Sequence, residues 1–398
     1  MSRGRFAGAV LVGVVLALVL GAAAPVERFG ERLAAGEEAQ AGLPEFYSAP
    51  PLTAPVRAGR AVKIAPVVAP PAGAKAWRVI YESTDQNGTP TLVSGTVIAP
   101  TGRAPAGGRA IVAWGHPTSG IAARCAPSVG VDPFFFIEGL RALLRAGYVV
   151  AASDYSGMGI AGPPSFLLGD VEGANVLDIA RAARSVTAAH AGNRVVLWGH
   201  SQGGQAVLFA AQRAGSYAPD LHVAGVAVAA PATDLADLLS ADIDDVSGVT
   251  IASYAFTSYA AAYAMQLPHD AVARILTPTA LRALPEMAGE CLFGQNQALH
   301  AIAKPLVGSF LLHDPGSDPT WGPLLAANSP SSATLPMPLF VAQGAKDTLV
   351  RPAITAGYVA AQEAAGATVE SHVLPDATHG TVATDAVPLL LRWMATLQ

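Results

Sequence analysis

The chain has 398 residues, 52% hydrophobic and 13% charged, with 24 Lys and Arg against 29 Asp and Glu for a net charge of −5. That much apolar material with so little charge excludes a disordered chain and supplies the core of one large domain or two. The acidic balance, with no basic cluster beyond the extreme N-terminus, excludes a phosphate-tracking surface, so nucleic acid is not an expected partner.

Arg3 and Arg5 precede an apolar run from Phe6 to Leu20, and small residues follow up to Pro25. This is the pattern of an export signal over residues 1–24 with cleavage near Ala24. An uncleaved anchor is the alternative, because Phe6 to Ala24 carries no charge over 19 residues. Residues 25–75 are punctuated by Pro44, Pro50, Pro51, Pro55, Pro66, Pro70 and Pro71 and read as an irregular arm. From Trp77 the texture becomes strand-like, with runs at Trp77–Glu82, Leu92–Ile98, Arg109–Trp114 and Gly147–Ala152; the first two are joined as a hairpin through Asp85 to Gly88.

Helical spacing of apolar residues appears over Phe134–Arg145 and Val171–His190. Arg194–Trp198 is a nearly continuous apolar strand running through Gly199 into a helix over Gln202–Ala214. Val223–Ala229, Pro338–Gln343 and Val369–Leu374 repeat the strand character. Alternating strands and helices predict an α/β fold, a mostly parallel sheet covered on both faces, built from residues 76–231 and 337–398. Residues 232–336 show helix-like text without a buried strand and read as an inserted helical cap. Within it, Val249–Leu267 is uncharged and reads as a buried cap helix, with a surface-active lid as the rival.

The chemistry starts at Gly199-His200-Ser201-Gln202-Gly203, a G-x-S-x-G motif between a strand and a helix. A serine hydroxyl is a poor nucleophile until a base removes its proton. A sharp strand-to-helix turn exposes it to that base, and the helix N-terminus favours developing negative charge. The base and its orienting carboxylate are expected later in the chain. Asp347 follows the strand Pro338–Gln343, and His379 follows Val369–Leu374, each at the C-terminal end of a strand, where open α/β sheets assemble their sites. Asp376, Asp314 and Asp318 read as turn residues and His372 as a paired strand histidine. His200 reads as packing beside the serine, and His190, His222, His269, His300 and His313 as solvated or core histidines.

The oxyanion needs donors. One is the N–H of Gln202. The other falls in Gly115-His116-Pro117-Thr118-Ser119-Gly120, where Pro117 has no N–H, so Thr118 is the choice and His116 the next. Gly157-Met158-Gly159-Ile160-Ala161-Gly162 matches a dinucleotide-binding spacing, but Pro163 and Pro164 stand where that helix would begin, and Asp154 reads as fixing the turn. Export would pair Cys125 with Cys291 in a disulfide, the alternative being two buried thiols. No HExxH, CxxC or dense His and Asp cluster occurs, so neither a metal nor a cofactor is expected.

With these residues in place the chain resembles the secretory lipase family of the α/β-hydrolases, the lipase A type, from about Trp77 to the C-terminus. Besides the triad, the resemblance rests on Cys125-Ala-Pro-Ser128, on residues 147–155 and on Ala230-Pro-Ala-Thr-Asp-Leu235. It implies an exported ester hydrolase with a helical cap inserted before the acid residue. The expected function is a secreted serine carboxylester hydrolase of lipase type using Ser201, Asp347 and His379 on a small-molecule or lipid ester, with contact to a lipid–water interface and no obligate protein partner. Within enzymes the alternatives are a polyester hydrolase or an acyltransferase; outside them, a non-catalytic cell-envelope binding protein.

Overall fold

The computed structural model describes residues 43–397 except Thr53, Val131 and Gly294; the segment read as an export signal and the start of the arm lie outside the described residues. Strands β1 (Ala61–Pro66), β2 (Ala74–Thr84) and β3 (Pro90–Pro100) form an antiparallel meander. Its β2–β3 hairpin closes at Asp85, whose carboxylate accepts from the Asn87 and Thr89 N–H groups. Next come β4 (Arg109–Gly115), β5 (Val149–Ser153), β6 (Ala191–His200), β7 (His222–Ala229), β8 (Leu339–Gly344) and β9 (Val369–Leu374). The sheet order is β1-β2-β3-β5-β4-β6-β7-β8-β9; β3 meets β5 antiparallel and every pairing from β5 through β9 is parallel. The central strands are buried on both faces, which is why their sequences are continuous apolar runs rather than alternating ones.

Helix α1 (Leu140–Arg145) packs on one face of the sheet, and α2 (Gly169–Ser185) and α3 (Gln202–Tyr217) on the other. Between β7 and β8 lie α4 (Leu235–Asp242), α5 (Val246–Ala262), α6 (Ala271–Ile275), α7 (Pro278–Gly289), α8 (Asn296–Ala303) and α9 (Trp321–Ala327). The Asp234, Asp245 and Thr277 side chains cap α4, α5 and α7. Tyr254, Phe256 and Tyr259 of α5 are buried, and Met265 beyond it is exposed. The chain closes with α10 (Pro352–Ala364), α11 (Val382–Asp385) and α12 (Val387–Thr396).

Three local expectations need correction. The arm is not irregular throughout, for it holds β1. That strand turns Val62 and Ile64 outward, so its sequence lacks the inward apolar alternation of a half-buried strand. The helix expected from Phe134 begins only at Leu140, because Gly139 at φ +85° interrupts it; Phe135 and Phe136 instead meet Phe293 edge to face, with ring centroids 5.1 and 4.1 Å away. The helix expected to reach His190 stops at Ser185, followed by a 3-10 turn at Thr187–Ala189 and by His190 at φ +50°.

Cys125 and Cys291 form a disulfide with Cα atoms 5.3 Å apart, joining the loop after β4 to the segment between β7 and β8. Beside it the Leu292 N–H donates to the Ser119 carbonyl at 2.9 Å. A Cβ on Gly120 would sit 2.7 Å from the Cys125 sulfur, so only glycine leaves room for the bridge.

Candidate active site

Ser201 sits between β6 and α3 at φ +56°, ψ −119°, a strained conformation of the kind that costs about 1–3 kcal/mol and persists only where the surroundings enforce it. Here the Ser201 N–H donates to the Ala229 carbonyl at 3.0 Å, and its own carbonyl accepts from the Gln205 and Ala232 N–H groups. The flanking glycines are steric necessities. A Cβ on Gly203 would lie 1.9 Å from the Gly115 carbonyl oxygen, and one on Gly199 would lie 2.1 Å from that of Gly203.

The loops after β8 and β9 bring Asp347 and His379 to this serine. His379 Nε2 is 2.9 Å from Ser201 Oγ, and His379 Nδ1 is 2.8 Å from Asp347 Oδ2. With Nδ1–H donating to the carboxylate, Nε2 is free to accept the serine proton. Asp347 is buried, and its other oxygen accepts from the Leu349 and Val350 N–H groups at 2.9 Å each. Burial holds the His379 imidazole below its ordinary value, and charge on His200 adds to this, outweighing the opposing pull of Asp347. The ring is therefore neutral at neutral pH, as a base requires.

Several groups around the triad were not picked out from sequence. Gln343, at the end of β8, donates to Asp347 Oδ2 at 3.3 Å and to the Val350 carbonyl at 3.0 Å, and Thr355 donates to its Oε1 at 2.7 Å. A polar residue closing a buried apolar strand is the signal that could have marked it. Glu138 accepts from His200 Nδ1 at 3.0 Å and, through its carbonyl, from Trp198 Nε1 at 3.1 Å. Glu172 is fully buried and accepts from the Gln202 side chain at 2.7 Å.

Thr118 and Gln202 line the cavity that opens on Ser201. The Thr118 loop is held from behind. His116 is buried, its Nδ1 donates to the Pro117 carbonyl at 2.6 Å, and burial pushes it down to about 4. The Tyr155 hydroxyl donates to the His116 carbonyl at 3.3 Å. Asp154 is buried and accepts from Ser94 Oγ at 2.5 Å and the Ser128 N–H at 2.9 Å.

The remaining residues weighed from sequence lie elsewhere. Asp376 is exposed and pairs with Lys346, His372 pairs with Glu370, and Asp314 and Asp318 accept backbone N–H bonds in their own turns. In the dinucleotide-like motif, Cβ atoms on Gly157 and Gly159 would collide with Pro163 and Ser94, so these glycines serve packing. Among the described residues no cluster of three metal-ligating side chains occurs.

The sequence model of the secretory lipase family matches residues 129–396. The chain belongs to the secretory lipase family. A relative from Mycobacterium tuberculosis named a probable inactive lipase is 26% identical over 341 residues, covering 80% of this chain and 72% of that protein. Lipase 5 of Candida albicans is 33% identical over 158 residues, 36% of this chain and 32% of its own length. Among solved structures, Candida antarctica lipase A in its closed state superposes with a TM-score of 0.73 at 20% identity, covering 89% of this chain and 85% of that one. The rice cell wall degrading esterase LipA of Xanthomonas oryzae does so with a TM-score of 0.71 at 19% identity, covering 86% and 100%. The chain therefore has the α/β-hydrolase fold, and its family supports a hydrolase of the lipase or esterase type. The family suggests secretion, and among the described residues no helix is long and apolar enough to cross a membrane.

Proposed function

We propose that the protein is an active, exported serine carboxylester hydrolase that takes lipid-type esters. The observation carrying this reading is the unbroken line from Asp347 through His379 to Ser201, at 2.8 and 2.9 Å, beside an apolar cavity. One relative of this chain is named as inactive, so the case for activity rests on these three residues of this chain.

In this reading Ser201 Oγ attacks the ester carbonyl as His379 Nε2 takes its proton. The developing oxyanion is met by the N–H groups of Gln202 and Thr118. His379 then passes the proton to the departing alcohol, leaving an acyl-serine, and a water activated by the same imidazole releases the acid. Asp347 stabilises the imidazolium formed in both steps. Each oxyanion donor is worth about 3–4 kcal/mol of barrier. The walls Leu235, Leu238, Ile251 and Ala252 favour an apolar chain over a small polar one.

The test is hydrolysis of p-nitrophenyl esters from short to long acyl chains by the native protein and Ser201→Ala. Activity on long chains, lost by about 10⁴-fold in the variant, is expected. Equal rates in the two proteins would remove the reading.

A further inference from the structure

On its cap side the cavity over Ser201 is apolar except at Asp242 and at Tyr259, whose hydroxyl already donates to the Leu167 carbonyl at 3.0 Å. Among Leu235, Leu238, Leu239 and Ile251 stands Asp242, the last residue of α4. Asp242 is 6% exposed, and its Oδ1 has no hydrogen-bond partner. Arg351 Nη2 lies 3.7 Å from that oxygen, beyond hydrogen-bonding distance, and donates to the Ala241 carbonyl instead. Helix capping does not account for the carboxyl either, because Asp245 fills that role for α5 by accepting from the Gly248 N–H at 2.7 Å. A buried acceptor without a donor is destabilising, and a ligand that brings a donor relieves it.

We infer that Asp242 is a specificity determinant whose carboxyl hydrogen-bonds a hydroxyl on the part of the ester that fills this cavity, selecting hydroxylated acyl chains over plain alkyl ones. The inference rests on the ester-hydrolase reading of the site. A hydroxyl is preferred to an ammonium as the recognised group for two reasons. Arg351 already supplies positive charge at the carboxyl. In addition, burial and Asp245, with a smaller push from Asp347 and against the pull of Arg351, raise Asp242 to about 7. The group thus passes between acid and carboxylate near neutrality. A hydroxyl both donates and accepts, so it matches either form, whereas a methylene matches neither. A site built to bond a substrate hydroxyl discriminates strongly against the analogue lacking it, because its own polar group is then left unpaired.

The experiment compares p-nitrophenyl esters of straight six- to ten-carbon acids with their isomers hydroxylated at the third or the terminal carbon, using the native protein, Asp242→Ala and Asp242→Asn. In the native protein at least one hydroxylated ester is expected to exceed its parent in kcat/KM by tenfold or more. Asp242→Ala should abolish that ratio, mainly by raising KM for the hydroxylated ester and lowering it for the parent. Asp242→Asn, which still donates and accepts, should keep most of it. If Asp242→Ala does not fold, Asp242→Leu takes its place, since an apolar side chain suits the walls. A ratio unchanged by the apolar variant, or a native preference for the plain chain at every length, overturns the inference alone when hydrolysis still depends on Ser201. Hydrolysis undiminished in Ser201→Ala overturns both readings.

Discussion

The imidazole rings of His200 and His379 lie 5.0 Å apart, with His200 fastened to Glu138 at 3.0 Å. Although burial works the other way, Glu138 raises His200 above its ordinary value, and a cationic His200 in turn depresses His379. Catalysis requires neutral His379, so activity should fall as pH drops through its folded value, with an acid midpoint below 6.5. His200→Phe removes the neighbouring cation and leaves the Glu138 carboxylate without its partner, and both changes raise His379. The pH profile of kcat/KM should shift its acid limb upward; superimposable profiles would show that His200 only fills space.

Glu172 is a second device behind the same turn. Desolvation holds this fully buried carboxyl well above the ordinary 4.5, outweighing its hydrogen bond from Gln202. A carboxyl whose folded value is raised keeps its proton in the native state while the unfolded chain loses it, so native stability falls as pH rises from about 4.5 towards the folded value. Glu172→Gln removes that dependence and keeps an acceptor for Gln202. The variant should gain stability over the native protein as pH rises from 5 to 8, by up to about 1.4 kcal/mol per pH unit. Denaturant melts at several pH values measure this, and a constant difference would contradict it.

Gly203→Ala should damage the protein from a position with no side chain of its own. The added methyl would lie 1.9 Å from the Gly115 oxygen, forcing α3 away from the end of β4 where the Thr118 loop begins. A loss of about 3 kcal/mol is expected from overpacking, with kcat down about 100-fold for a shift of about 1 Å in the turn. Gly215→Ala, in the same helix but with nothing within 4 Å, is the control and should be neutral or mildly stabilising. Comparable losses in both variants would mean that the contact with Gly115 is not what decides.

The parallel half of the sheet was readable because its strands are buried on both faces and need unbroken apolar runs, as Arg194–Trp198 and Pro338–Gln343 do. Ser201 and Asp347 could be nominated because each follows such a run, and His379 because it follows the last strand, Val369–Leu374; the structure brings the three within hydrogen-bonding distance. What sequence withheld is what depends on partners distant in the chain. β1 exists through pairing with β2, not through any pattern of its own. Phe135 and Phe136 looked helical until Phe293 gave them another place. Glu138 meets His200 across 62 residues and Glu172 meets Gln202 across 30, separations that no local spacing encodes.

The Cys125–Cys291 bridge changes what kind of object the segment between β7 and β8 is. A chain fixed only at its two ends can hinge as a flap. Fastened in the middle as well, it becomes two arcs, each pinned at both extremities. The first contributes Leu235, Asp242, Ile251 and Tyr259 to the cavity over Ser201, and the second contributes Leu325. The cavity over Ser201 is therefore edged on its cap side by two separately tied arcs, and the Ser119 loop is fastened to the junction between them.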